Sequence, residues 1–201
     1  MKLYCATTNA GKLREFRLAL DRFGEGRIEL DSLPGLEQIP PCGETGASFE
    51  ENAIQKAVYY SRWAPGLLFA DDSGLEVKAL HGEPGVRSAR FAGEGASDEE
   101  NNRLLLAKLH GVEDRAAQFV CVIALAQAGE LIRTFRGAVE GRIAEAPKGN
   151  NGFGYDPLFF YEPFGCTFGE VSAEKKLGVS HRGRALEQLA RFLTAAEPRL
   201  S

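Results

Sequence analysis

Excess positive charge is missing from this chain: 24 lysines and arginines face 28 aspartates and glutamates, for a net charge of −4. Without a basic surface to displace counterions, the composition argues against non-specific binding to DNA or RNA. A small anion held in a local basic pocket stays allowed. Cysteine is scarce and scattered: Cys5, Cys42, Cys121 and Cys166 form no CxxC pair, and the chain has three histidines. That composition argues against a structural metal site and a disulfide framework, so the thiols read as reduced packing residues. No apolar run approaches the ~18 residues of a membrane span. A GxxxxGK[ST] phosphate loop and a GxSxG elbow are also lacking, as are internal repeats and low-complexity tracts. The strand signal begins at Lys2, which leaves no signal peptide and predicts a cytoplasmic protein with no membrane partner.

What is present suits a globular protein. An apolar share of 44% and a charged share of 26% over 201 residues are ordinary for one domain with a substantial core, and no linker divides residues 1–201. Lys2 to Thr7 reads as a strand, followed by a helix with Leu13, Phe16, Leu20 and Phe23 at helical spacing. Prolines and glycines make 31–46 an irregular connection. Ser48-x-x-Glu51 and Ser97-x-x-Glu100 match capping boxes, opening helices to about Trp63 and to Gly111. Leu67 to Ala70 predicts a strand that ends at an acid turn, Asp71-Asp72-Ser73-Gly74, with a second short strand over 75–79. Phe119–Ala126 and Glu130–Phe135 predict a hairpin turned at Ala128-Gly129, with a further strand near 139–144. The last helix starts near Ser180 and fades at Pro198. Parallel crossovers mixed with a hairpin predict an α/β fold with a mixed sheet.

Five segments carry polar residues suited to chemistry. Thr7-Thr8-Asn9-Ala10-Gly11-Lys12 places a polar loop and a lysine at a helix start, where backbone N–H groups favour an anion; an ordinary turn with a solvated lysine fits the same residues. Asn52 and Lys56 share one helix face behind Glu44-Thr45-Gly46, so Lys56 suits phosphate and Glu44 a metal. Glu51 reads as a cap. Asp72, with Glu44, suits magnesium, which binds one or two carboxylates together with substrate phosphates; an Asx turn is the plainer alternative for the acid pair. In Gly152-Phe153-Gly154-Tyr155-Asp156 the rings can cover a planar base and Asp156 can accept from a ring N–H, although a tight aromatic turn reads equally well. Lys176 can reach a phosphate, and His181 and Arg182 can donate to acceptors on a purine edge.

Together these segments resemble the inosine/xanthosine triphosphate pyrophosphatases. The resemblance runs from Leu3 to about Leu193 through ETG, FEENAxxKA, ADDSGL, FGYDP and SHR, in that order. It implies an elongated α/β fold of two lobes around a curved mixed sheet, with the active site in the cleft between them. It further implies a Mg²⁺-dependent homodimer that hydrolyses ITP, dITP and XTP to monophosphate and pyrophosphate. By resemblance, Thr7 to Lys12, Lys56 and Lys176 contact the triphosphate, Asp72 and Lys56 are catalytic, and Asp72 is also a metal ligand with Glu44 the second. Ser73 touches substrate, and Phe153, Gly154, Tyr155, Asp156, His181 and Arg182 form the base pocket. Gly85 to Arg90 resembles a loop beside the cleft. Two positions depart from the family pattern: Thr8 replaces a usual glycine, and Arg87 a common aromatic. Septum-formation-inhibitor-like pyrophosphatases are the rival family, against which SHR and FGYDP speak.

Overall fold

The computed structural model describes residues 1–196, so the expected end of the last helix at Pro198 lies outside the described residues. In chain order the elements are β1 (Lys2–Cys5), α1 (Ala10–Phe23), β2 (Glu29–Ser32), α2 (Phe49–Tyr60), β3 (Leu68–Val77), α3 (Asp98–Lys108), β4 (Ala116–Gln127), β5 (Glu130–Ile143), β6 (Phe159–Tyr161), β7 (Cys166–Thr167), α4 (Ala173–Leu177) and α5 (His181–Ala196). The strands form one mixed sheet of order β2-β1-β3-β4-β5-β6-β7. β1 pairs in parallel with β2 and β3, and the remaining pairings are antiparallel. A mixed-sheet α/β fold is therefore what the chain adopts.

Both faces of the sheet are covered. α1 and α5 lie on one, where Leu3, Phe16, Leu20, Phe69, Ile123, Leu125, Leu186 and Leu189 pack together. α2 lies on the other, with Phe49, Ala53 and Ala57 against Ala70, Val120, Val122 and Ala124. The small residues on both sides let α2 approach closely. A third cluster joins α3 to the far half of β4 and β5 through Leu105, Phe119, Val139, Tyr155, Phe159 and Phe168.

Three expectations change. The acid pair is not at a strand's end: β3 continues unbroken from Leu68 to Val77, paired throughout with β4, and absorbs the predicted strand over 75–79. No Asx turn forms there. A buried strand tolerates Asp71 and Asp72 because cations meet both, and Gly74 supplies a close approach, not a turn: a Cβ on it would lie 2.6 Å from the Gly85 carbonyl oxygen. The hairpin turns at Ala128-Gly129, with φ of 51° and 86° that suit a tight primed turn, but β5 then runs straight through Gly137 to Ile143. β2, on the sheet edge, falls within a stretch whose sequence shows little alternation, and it claims two residues of the predicted irregular connection.

Gly137 is needed where α5 crosses β5, since a Cβ there would lie 2.1 Å from the His181 carbonyl oxygen and 2.8 Å from the Ala185 nitrogen. Both are backbone atoms, so relief requires moving the helix. Gly137→Ala is expected to cost about 1–3 kcal/mol, read in urea titration as a lower midpoint at unchanged slope. An unshifted midpoint would show that α5 is not seated there.

Candidate active site

Side chains alternate along a strand, so neighbours point to opposite faces. In β3 this sends Asp71 toward α1 and α5 and Asp72 toward α2. Asp71 accepts from Lys12 of α1, 2.9 Å from its Nζ, and from the Ser73 hydroxyl at 3.1 Å. Asp72 accepts from Asn52 Nδ2 at 3.1 Å and from Lys56 Nζ at 3.1 Å, both on α2. Lys56 also donates to Glu44 at 3.2 Å. Asn52 Oδ1 accepts the Gly46 N–H at 2.8 Å, which holds the Glu44-Thr45-Gly46 loop against α2. Ser48 caps α2 by accepting from Glu51, whose carboxylate accepts from Ala47. Glu51 is thus a cap.

The two acids differ electrostatically. Burial raises the Asp71 carboxyl, but Lys12, Arg182 and Lys56 outweigh it and hold the group at about 2, an anion at neutral pH. For Asp72 burial prevails over Lys56 and Lys12 and pushes the carboxyl above its usual value, making it the better proton acceptor. Lys56 moves up despite burial, because Asp72, Asp71 and Glu44 surround it.

A second charged cluster lies beyond Ser73. Arg182 donates to the Ser73 hydroxyl at 2.8 Å and to Glu15 of α1. Lys176 donates to Glu15 at 2.7 Å and to Asp156 at 2.6 Å. Lys176 therefore sits apart from the expected phosphate lysines, among Glu15, Asp156 and the Phe153 ring, whose centroid is 5.1 Å from its Nζ. Asp156 also accepts the Phe153 N–H at 3.0 Å, closing the glycine-rich turn. Glu15 was not singled out in the sequence. Its only signal is an acid three residues after Lys12, between Arg14 and Arg17 on the helix. Burial raises its carboxyl, and Arg182 and Lys176 more than reverse that.

His181 stacks on Phe119 with centroids 4.7 Å apart and planes at 15°. Burial, with Arg182 and Lys176 nearby, holds its imidazole well below the usual value, so it is neutral at pH 7. Among the described residues, His181 Nδ1 and Arg182 Nε are buried side-chain nitrogens without a hydrogen-bond partner. Such atoms are costly unless a ligand meets them.

These residues line one cleft of about 610 Å³, a size suited to a nucleotide. Thr7, Thr8, Asn9, Lys12, Glu44, Lys56, Asp71, Asp72, Ser73, Phe153, Gly154, Tyr155, Asp156, Lys176, His181 and Arg182 all face it. Ala10 and Gly11 are not on its wall; Gly11 is buried beneath the Phe153 ring, where a Cβ would meet Cδ1 at 2.6 Å. Asn9 caps α1 by accepting from the Lys12 N–H at 2.9 Å. Thr8 faces the cleft and is not among the positive-φ residues, so its Cβ brings no left-handed backbone strain. Arg87 is exposed and away from the cleft wall. Tyr155 is a core residue whose hydroxyl donates to the Ser88 carbonyl at 2.8 Å.

Glu44 and Asp72 turn oxygens toward the same ammonium, a donor pair that suits Mg²⁺ sharing phosphate oxygens. Among the described residues no group of three His, Cys, Asp or Glu converges, which does not suit a closed zinc site. Charge balance points the same way. Lys12, Lys56, Lys176 and Arg182 are already matched by Glu15, Glu44, Asp71, Asp72 and Asp156, so an added cation would suit an entering anion.

Comparison with known proteins agrees in extent. The model of the Ham1 family matches residues 3–192. The dITP/XTP pyrophosphatase of Syntrophobacter fumaroxidans is 52% identical over 189 residues, covering 94% of this chain and 80% of that protein. The enzyme of the same name from Acidobacterium capsulatum is 49% identical over 198 residues, covering 94% and 96%. Among solved structures, the Staphylococcus aureus Ham1 protein superposes with a TM-score of 0.86 at 40% identity, over 98% of this chain and all (100%) of that one. A HAM1 protein from Coxiella burnetii gives 0.86 at 38% identity, with 98% and 100% covered.

Two outcomes follow. Glu15→Gln leaves Arg182 and Lys176 short of a buried counter-charge, and a loss of about 3–5 kcal/mol is expected in denaturant unfolding; a change within experimental error would show that Asp156 and Ser73 suffice. The unfolded chain protonates His181 below about pH 6.5 while the folded chain does not, so stability falls in acid by up to about 1.4 kcal/mol per pH unit. His181→Gln should flatten that part of the profile, measured by unfolding at pH 5 and 7.5.

Proposed function

The chain belongs to the Ham1 family, and on that premise we propose that it hydrolyses non-standard purine nucleoside triphosphates, dITP, ITP and XTP, to the monophosphate and pyrophosphate. The observation that carries this reading is the joining, in one cleft, of an upward-shifted carboxylate flanked by Lys56 with two buried nitrogens that lack hydrogen-bond partners. The names of the relatives, dITP/XTP pyrophosphatases, support the substrate class.

In this reading Lys12 and Lys56 grip the phosphate tail, and the N-terminus of α1 adds its partial positive charge. Asp72 takes a proton from the attacking water, which adds to the α-phosphorus as pyrophosphate leaves. Asn52 and Lys56 fix the orientation of that carboxylate. Glu44 and Asp72 would hold Mg²⁺, which supplies neutralisation of the phosphate charge when bound. Positioning and charge matching then account for most of the acceleration. At the other end Phe153 stacks on the base, and His181 and Arg182 read its edge. Lys176 belongs with them, because its ammonium lies against Phe153 and Asp156.

A 6-keto purine presents an acceptor where adenine presents an amino group, so ATP leaves the Arg182 donor unmet. Each such mismatch costs about 1–3 kcal/mol, roughly tenfold to a hundredfold in kcat/KM. The reading also takes residues 1–201 as one domain that forms a homodimer in the cytoplasm; light scattering on the eluted protein tests the dimer. Among the described residues no helix is long and apolar enough to cross a membrane.

Asp72→Asn is expected to lower turnover at least about a hundredfold while inosine nucleotides still bind. A near-native rate in that variant removes Asp72 from its role. For the wild type, pyrophosphate and no orthophosphate should appear from ITP, strongly dependent on magnesium and much faster than from ATP. Orthophosphate release, or equal rates on the two nucleotides, would overturn the assignment.

A further inference from the structure

The first turns of α3 hold no residue singled out by sequence for chemistry, yet three of their side chains reach across to the walls of the cleft. Asp98 Oδ2 accepts the Gly154 N–H at 2.6 Å, and Asn102 Nδ2 donates to the Gly154 carbonyl at 3.0 Å. Spaced four apart, Asp98 and Asn102 share a helix face and engage both backbone groups of one residue. Gly154 permits this because its φ of 62° lies in the left-handed region. Between them, Asn101 is buried, accepts the Ala92 N–H at 2.8 Å and donates to the Ala89 carbonyl at 3.2 Å.

The segment Gly85–Arg90, a 3₁₀ turn, completes the frame. Ser88 Oγ accepts the Leu75 N–H at 2.9 Å, and the Ser88 carbonyl accepts the Tyr155 hydroxyl at 2.8 Å. Leu75 lies in β3 only three residues past Asp72. The Phe153–Tyr155 turn is thus tied at Gly154 to α3, and at Tyr155, through Ser88, to the strand that carries the acids.

We propose that Asp98 and Asn102 are positioning residues for base recognition: by fixing the peptide groups of Gly154 they hold the Phe153 ring at the height a purine needs, and so set selectivity for the base without acting on the phosphates. The proposal rests on the functional reading above. Neither residue contacts Lys12, Lys56 or Asp72, so the effect falls on binding of the base. Free rotation of the Gly154 peptide would release the Phe153 ring from its place over Gly11, Lys176 and Arg182.

Asp98 lines the cleft and Asn102 does not, which lets one experiment separate a clamp from direct contact. With Asp98→Ala and with Asn102→Ala, KM for ITP should rise about tenfold while kcat stays within about twofold, and the advantage of ITP over ATP should shrink by the same factor. Inosine monophosphate, which lacks the polyphosphate, should bind each variant about tenfold more weakly in calorimetry. Asp98→Asn retains an acceptor for the Gly154 N–H and should restore most of the loss. Ser97→Ala, which removes the cap of α3 but neither contact to Gly154, controls for helix stability and should leave selectivity intact.

An effect confined to Asp98→Ala would mean that Asp98 touches substrate directly, and would overturn the clamp. Equal loss of kcat on ITP and ATP, or equal loss of selectivity in Ser97→Ala, would overturn it as well. Failure of the functional reading shows separately, as absence of pyrophosphate release by the wild type. Unchanged inosine monophosphate binding by both alanine variants would sink the clamp alone.

Discussion

Two adjacent carboxylates in the middle of a buried strand must each find a cation, and strand geometry turns them toward different ones. That constraint organises the molecule. Because β3 alternates its side chains, Asp71 draws on α1 and α5, and Asp72 on α2. The helices on the two faces of the sheet are thereby held to the same strand by charge as well as by apolar packing. A buried carboxylate without its partner would cost several kcal/mol, so the placement of Lys12, Lys56 and Arg182 is bound to the fold itself. The result is a pair of acids with opposite tendencies: one firmly ionised, the other biased toward accepting a proton.

From Asp71 the ionic contacts continue without a break. Ser73 links Asp71 to Arg182, Arg182 shares Glu15 with Lys176, and Lys176 reaches Asp156, which holds the Phe153 N–H. This run joins the end of the cleft suited to phosphate with the end suited to a base. The groups are set in place before any ligand arrives, so little reorganisation accompanies binding. The same matching means that the cleft's lysines and Arg182 are already paired with acids before an anionic ligand arrives.

Around that charged interior stands a frame of hydrogen bonds to backbone groups. Ser88, Asn101, Asp98 and Asn102 bind the 3₁₀ turn, α3 and the glycine-rich turn into one unit anchored on β3. Loops at functional sites gain precision when rigid elements hold their backbone groups. Here α3 does so for the turn that carries Phe153.

Much of this was legible beforehand. Helix starts at Ser48 and Ser97, the hairpin turn at Ala128-Gly129 and the shared face of Asn52 and Lys56 follow from local rules of capping, turn chemistry and helical period. The motif series named the family, and the residues it marked converge on one cleft apart from Ala10 and Gly11. What local rules could not reveal depends on partners distant in the chain. A strand that runs on through Asp71-Asp72-Ser73-Gly74 looks like a turn until Lys12, Lys56 and Arg182 are seen to neutralise it. Gly137 looks like a break until α5 is seen lying upon it. Glu15 is an unremarked helix acid until Lys176 and Arg182, 161 and 167 residues away, close on it. Sequence by itself determined which groups of which charge are available and where the backbone turns. Only the tertiary structure decided which charge faces which, because burial and pairing are properties of neighbours in space.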